Sequence, residues 1–303
     1  MRHRSPITVA LLLLAACGTT RAGGAPIVAT AGGDVASREL REQTADEQVK
    51  QALNRLAFGA RPGDAERVRA MGVDRWIAMQ LSPATIDDRA TEQFVHRFPV
   101  LATSPERLLA EYPQRQQLVR EARAGGRDLT ASDSMRLREA GRLSRQLLTE
   151  LQTAKVARAV MSNRQLEEVM VDFWENHFTV FAGKGPERYF LAEYERDHIR
   201  PHALGKFRDL LGAVAKSPAM LYYLDNWESM VDSGRPSLAP RARRAKSRGL
   251  NENYGRELLE LHTLGVDGGY SQQDVINVAR AFTGWTVEKP RQNGTFVFRP
   301  AMH

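Results

Sequence analysis

From residue 46 onward, apolar side chains recur every three or four positions, the period of helices that each bury one stripe. Val49, Leu53 and Leu56 open the series, and Gly59 stops it. The turn Arg61-Pro62-Gly63-Asp64 starts a second short helix that Gly72 ends. Val73-Asp74 leads into a third over 75–81, with Trp76, Ile77 and Leu81 as its stripe, until Ser82-Pro83 closes it. Ser104-Pro105-Glu106 is another start signal, Ser serving as cap and Pro taking the first helical position. A long arginine-rich helical pattern over 132–161 then carries Leu137, Leu143, Leu147, Leu151 and Val160 inward and Arg and Glu outward.

In the second half, Asn163 can cap a helix in which Leu166, Met170, Phe173 and His177 fall on one face, so the imidazole points inward. Helices follow over 189–199 and 206–215, and Ser217-Pro218 repeats the start signal. A helix over 251–263 puts Tyr254, Leu258, Leu261 and His262 on one face and ends at Gly265, a left-handed cap. Ser271 and Asp274 form a capping box for the last helix, which runs to Phe282. Trp285-Thr286-Val287 and Thr295-Phe296-Val297-Phe298, joined by a turn containing Asn293-Gly294, predict a hairpin. Together these elements predict a mainly α fold, a multi-helix orthogonal bundle with a small C-terminal β-hairpin, over residues 46–303.

The first 45 residues break the pattern. Met1-Arg2-His3-Arg4 is a basic start, and the apolar run 7–16 is too short for the ~20 residues that cross a bilayer, which is the layout of a signal peptide. The run ends in Leu14-Ala15-Ala16-Cys17, similar to the bacterial lipobox, so residues 1–17 predict a lipoprotein signal with Cys17 as the lipidated residue. Gly18 rather than Asp after it directs the expectation to the outer membrane of the cell envelope, with the membrane as a partner through the lipid. Residues 18–45, rich in Gly, Ala and Thr, predict a flexible tether. Cys17 is the single cysteine, so no intramolecular disulfide forms.

Composition changes this picture little. With 42% hydrophobic and 26% charged residues the chain is no disordered polymer. The net charge of +7 gathers partly in a basic stretch within 232–249. Its Pro, Ser and Ala content and its lack of interleaved aromatics predict a solvated loop, and no nucleic-acid partner is expected.

Several segments together resemble a known family. Leu53-Asn54-Arg55-Leu56-Ala57-Phe58-Gly59, Phe173-Trp174-Glu175-Asn176-His177-Phe178, Pro218-Ala219-Met220-Leu221 with Asp225-Asn226, Asn251 through Gly265, Gly268-Gly269-Tyr270-Ser271 and Ala281-Phe282-Thr283-Gly284-Trp285 carry the match. They are similar to the DUF1800 proteins, a bacterial family without an assigned activity, over roughly 48–303. The resemblance implies a longer domain, since family members continue past the position of His303, and the chain is expected to be cut short there. It also implies a partner, because genes of this kind stand beside genes for exported DUF1501-type proteins. Gly255 replaces the alanine usual in the family, which should cost helix stability without touching the chemistry.

The familiar catalytic signatures are missing: no H-E-x-x-H, no G-x-S-x-G, no phosphate loop, no G-x-G-x-x-G. Asp267 to Ser271 lacks the alternating oxygens of a calcium loop and reads as a turn. What remains is Asn176 and His177 on one helix and Glu257 and His262 on another. Two readings stand side by side. Each histidine lies near a helix carboxyl end, where an imidazole bonds the last carbonyls for structural reasons alone. Alternatively the two helices pack together, bringing Asn176, His177, Glu257 and His262 to a shared polar cavity that polarises a substrate or holds a divalent metal. The first would suit a non-catalytic scaffold partnering an exported DUF1501-type protein. The second would suit an enzyme hydrolysing an envelope or extracellular polymer.

Overall fold

The computed structural model describes residues 42–111, 115–232, 236, 238, 249–292 and 294–303. The signal peptide, Cys17, nearly all of the tether and most of the basic stretch 232–249 lie outside these residues. The described fold is mainly α, with one two-stranded antiparallel sheet near its carboxyl end. No helix among the described residues is long and apolar enough to cross a membrane.

Helices α1 (Ala45–Leu56), α2 (Asp64–Met71) and α3 (Val73–Gln80) form where the apolar spacing predicts them. Val49, Ala52, Leu53, Val68 and Trp76 pack as a small core of their own. Gly63 and Gly72, at φ 82° and 88°, make the corners between them. Two short helices follow, α4 (Arg89–Val95), which the apolar pattern does not announce, and α5 (Pro105–Glu111) after the Ser-Pro signal. A further unannounced helix, α6 (Arg115–Ala124), precedes the long α7 (Ala131–Met161). Thr130 and Asp133 close the start of α7 with a capping box. Its buried stripe is Ala140, Ser144, Leu147, Ala154 and Ala157, small residues that let neighbours approach. Val160, expected inward, is 59% exposed, on the same outward face as Val156 one turn earlier, while Ala154 and Ala157 turn inward.

Helix α8 (Gln165–His177) starts by a device other than the expected Asn163 cap. The Asn163 backbone N–H donates to Asp88 at 2.7 Å and its amide to the Asp87 carbonyl at 3.0 Å, so its side chain is spent elsewhere. The cap comes from a distant element: Gln80 Oε1 accepts from the Leu166 N–H at 3.1 Å while Gln80 Nε2 donates to the Asn163 carbonyl at 2.9 Å. A buried amide thus satisfies a helix end as a local cap would.

The region predicted as one helix over 189–199 is instead a succession: a 3-10 turn Glu187–Tyr189, an α turn Leu191–Glu193, a π segment Tyr194–Ile199 and a 3-10 turn Arg200–His202. Its buried residues Phe190, Tyr194 and Ile199 are four and five apart, and the five-residue step stays inward only through a wide i→i+5 turn. Helices α9 (Phe207–Lys216) and α10 (Pro218–Tyr223) follow, Ser217 Oγ capping α10 at Met220 N–H as expected. These elements enclose the main core, centred on Phe178, Phe190, Ile199, Leu210, Met220 and Leu221.

Helices α11 (Glu252–Glu260) and α12 (Gln272–Ala281) cross closely, with Ser271 and Asp274 forming the predicted capping box. Gly255 sits at the crossing. A Cβ there would stand 2.9 Å from both the Val275 carbonyl oxygen and the Ala279 nitrogen, backbone atoms that cannot turn away. Propensity alone therefore misjudges this residue: the glycine permits the crossing, and its helix cost is offset by the close approach. Strands β1 (Trp285–Glu288) and β2 (Thr295–Phe298) pair in register from Trp285 with Phe298 to Glu288 with Thr295. Asn226, fully buried, ties the hairpin down by donating to the Phe282 and Trp285 carbonyls at 3.2 and 3.0 Å.

Candidate functional site

His177 is the last residue of α8, and His262 lies two residues beyond α11. The two helices do not run side by side as expected; they meet at their carboxyl ends. There His177 Nε2 lies 3.1 Å from the backbone carbonyl oxygen of His262, and the two ring centroids are 6.4 Å apart. A carbonyl only accepts, so His177 Nε2 carries the proton and, in the neutral ring, Nδ1 keeps the lone pair. That nitrogen has no protein partner among the described residues.

The end of α11 explains why His262 reaches this place. Its backbone N–H donates to the Glu257 carbonyl at 3.0 Å, an i→i−5 turn, while the Thr263 hydroxyl and the Leu264 N–H take the Leu258 and Leu259 carbonyls at 2.6 and 2.8 Å. Gly265, at φ 86°, supplies the predicted left-handed exit. The last carbonyls are satisfied by backbone and hydroxyl groups, so neither imidazole caps its own helix.

His262 is 7% exposed, and burial, reinforced by the neighbouring His177, holds its pKa down at about 4. Phe178 presents its edge to both imidazoles at 4.6 and 5.2 Å. Phe173 stacks on His177 at 6.2 Å, and Phe207 lies over Trp174 and Phe178 at 5.7 and 6.3 Å. The helical period places Phe173 and Leu261 inward, yet they are 52% and 57% exposed, Phe173 in the last turns of α8 and Leu261 just past the end of α11. Phe207, Leu264 and Val266 are exposed as well, Phe207 against Trp174 and Phe178 and the other two close to His262 along the chain.

The other two candidates stand apart. Asn176 is exposed, and its amide donates to the Asp172 carbonyl of its own helix at 2.8 Å. Glu257 has its carboxyl pushed up by burial and by Glu260, against Arg256, but it is not among the groups that shift His262. The shared polar cavity therefore contracts to two histidines. For a divalent metal the donor set falls short, since among the described residues no three His, Cys, Asp or Glu groups converge. Glu252, Arg256 and Gln272 form a solvated polar network, with Gln272 bonding both at 2.6 and 2.8 Å.

Sequence reasoning missed Glu187. It is fully buried, neither carboxyl oxygen has a hydrogen-bond partner among the described residues, and burial pushes its pKa up to about 9. Nothing in Pro186-Glu187-Arg188 distinguishes a buried acid from an exposed one.

A family model described as a protein of unknown function, DUF1800, matches residues 51–303. The chain belongs to the DUF1800 family. The match takes in every element of the paired-histidine site. No curated protein and no solved structure matches the chain significantly.

Proposed function

We propose that this DUF1800 protein is an exported envelope lipoprotein, anchored to the outer membrane through Cys17, and that its paired-histidine end is a docking face and no catalytic centre. The observation that carries the reading is the set of exposed apolar residues on the segments that meet there: Phe173, stacked on His177, Phe207 against Phe178, and Leu261, Leu264 and Val266 flanking His262 along the chain. A general base works best with a pKa near the operating pH, and His262 at about 4 is far below it. Exposed clustered rings and aliphatic groups are what a protein partner covers. The family resemblance supplies the occupant, an exported DUF1501-type protein.

Co-elution of the two purified proteins tests the docking face. Phe173→Asp combined with Leu264→Asp abolishes the complex, and an unchanged complex overturns the reading. Fatty-acid labelling of growing cells tests the anchor: Cys17→Ala loses the label, and a parent chain that never takes it refutes the lipoprotein assignment.

The alternative, hydrolysis of an envelope or extracellular polymer, draws support from the free Nδ1 of His177 beside a second imidazole. A stoichiometric divalent ion in the purified chain, lost in His177→Ala, would decide for the enzyme.

A further inference from the structure

On another part of the molecule a cleft of about 330 Å³ opens between α4, the turn Pro99–Ala102, α7 and the π segment Tyr194–Ile199. That is the lower end of the ~300–1,000 Å³ typical of small-ligand pockets. Its walls are largely apolar, formed by Val95, Phe98, Leu101, Leu151, Ala154 and Ala192. Glu92, Arg158, Glu195, Arg196 and Arg200 also line it.

The guanidinium donors there are unequally spent. Arg200 grips Glu168 with both Nη atoms at 2.8 and 3.0 Å and gives Nε to Glu195 at 3.1 Å. Arg196 gives Nε and Nη2 to Asp197 at 2.8 and 2.6 Å and Nη1 to the Leu101 carbonyl at 2.7 Å. Arg158 donates only through Nη1, to Glu92 at 3.0 Å, with the Glu168 carboxylate 3.9 Å from the same nitrogen. Its Nε and Nη2 have no hydrogen-bond acceptor among the described residues, although its side chain is only 14% exposed. The Nε–Nη2 edge of a guanidinium offers two parallel N–H groups, the fork that matches a carboxylate. Glu92 occupies the other nitrogen and fixes the fork without filling it. The π segment contributes Glu195, and Arg200 directly after it pairs with both Glu195 and Glu168. Such irregular turns are often kept at functional sites.

We propose that this cleft binds a small aliphatic monocarboxylate, its carboxylate on the Nε–Nη2 edge of Arg158 and its hydrocarbon chain along the apolar walls. Octanoate is the probe. Calorimetric titration uses the full chain with Cys17→Ala, which keeps acyl groups off the protein. Octanoate is expected to bind at one site, with octanol and acetate each weaker by roughly tenfold or more, because each lacks one half of the complementarity. Arg158→Gln should weaken octanoate by a similar factor. Ala102→Trp, at the exposed rim, leaves Arg158 in place but closes the mouth, and should abolish binding without shifting the melting temperature. Where Arg158→Gln does not fold, Ala102→Trp alone decides. Octanol binding as tightly as octanoate, octanoate binding untouched by Ala102→Trp, or no heat at millimolar octanoate overturns the proposal.

Discussion

Replacing Glu187 by Gln should stabilise the protein at neutral pH, and the size of the effect follows from where the carboxyl lies. Glu187 is fully buried in the turn Glu187–Tyr189 against α10, with neither oxygen bonded among the described residues. The cation that acts on it, Lys184, is engaged by the Tyr223 carbonyl at 2.5 Å and by Asp225 at 2.8 Å. Burial raises the pKa from 4.5 to about 9, Lys184 opposing and Asp225 adding. The folded chain therefore keeps this proton through neutral pH while the unfolded chain releases it above 4.5. The native state binds the extra proton, so stability is fully present below 4.5 and falls as pH rises toward 9. At about 1.36 kcal/mol per pH unit, the loss by pH 7 is about 3 kcal/mol. Gln has nearly the same shape and no proton to lose, so it escapes that slope. Thermal and urea melts from pH 4.5 to 8.5 read it out. The two proteins should be nearly equal at pH 4.5 and diverge steadily, Glu187→Gln melting roughly 5–10 °C higher by pH 7. Parallel stability curves over that range would mean the carboxyl is ionised and partnered in the folded protein, and the reasoning would fail.

Gly255→Ala should destabilise by about 1–3 kcal/mol in chemical denaturation, the clash with the α12 backbone outweighing a propensity gain of about 1 kcal/mol; a more stable variant would show that the helices separate freely. The His262 imidazole, with a pKa of about 4, should stay neutral at pH 5.5 in an NMR titration. Because the unfolded chain takes up that proton below 6.5 and the folded one does not until about 4, its share of stability should fall as pH drops through that window. Glu168→Gln removes the bidentate partner of Arg200 inside the protein and should cost roughly 3–5 kcal/mol by thermal melting, whereas a change under about 1 kcal/mol would place the pair in water.

Helix ends that carry their own punctuation were legible in the sequence. Ser217-Pro218, the Ser271–Asp274 box and the hairpin around Asn293-Gly294 predict elements that form where expected, because each signal acts within a few residues. Ends satisfied from afar were not legible. The start of α8 is closed by Gln80, and an amide more than eighty residues away leaves no local trace. The region 187–202 failed for a different reason: a five-residue step between Tyr194 and Ile199 fits no regular period, and only the packed core shows why it is tolerated.

The candidate site was legible in one respect. Periodicity placed His177 and His262 toward an interior, and the rings do come within 6.4 Å. The same periodicity put Phe173 and Leu261 inward, and there it failed, since a stripe is buried only as far as a neighbour extends along it. At a helix end the stripe continues while the neighbour stops. Here the two helices meet end to end, and Phe173 and Leu261 stay in water. The hydrogen bond across the joint runs from His177 to the His262 carbonyl, and it uses a donor that catalysis would need free. A hydrolytic role would have to break that bond or work from the remaining Nδ1. A docking role needs neither change, because the apolar residues it would use are already exposed.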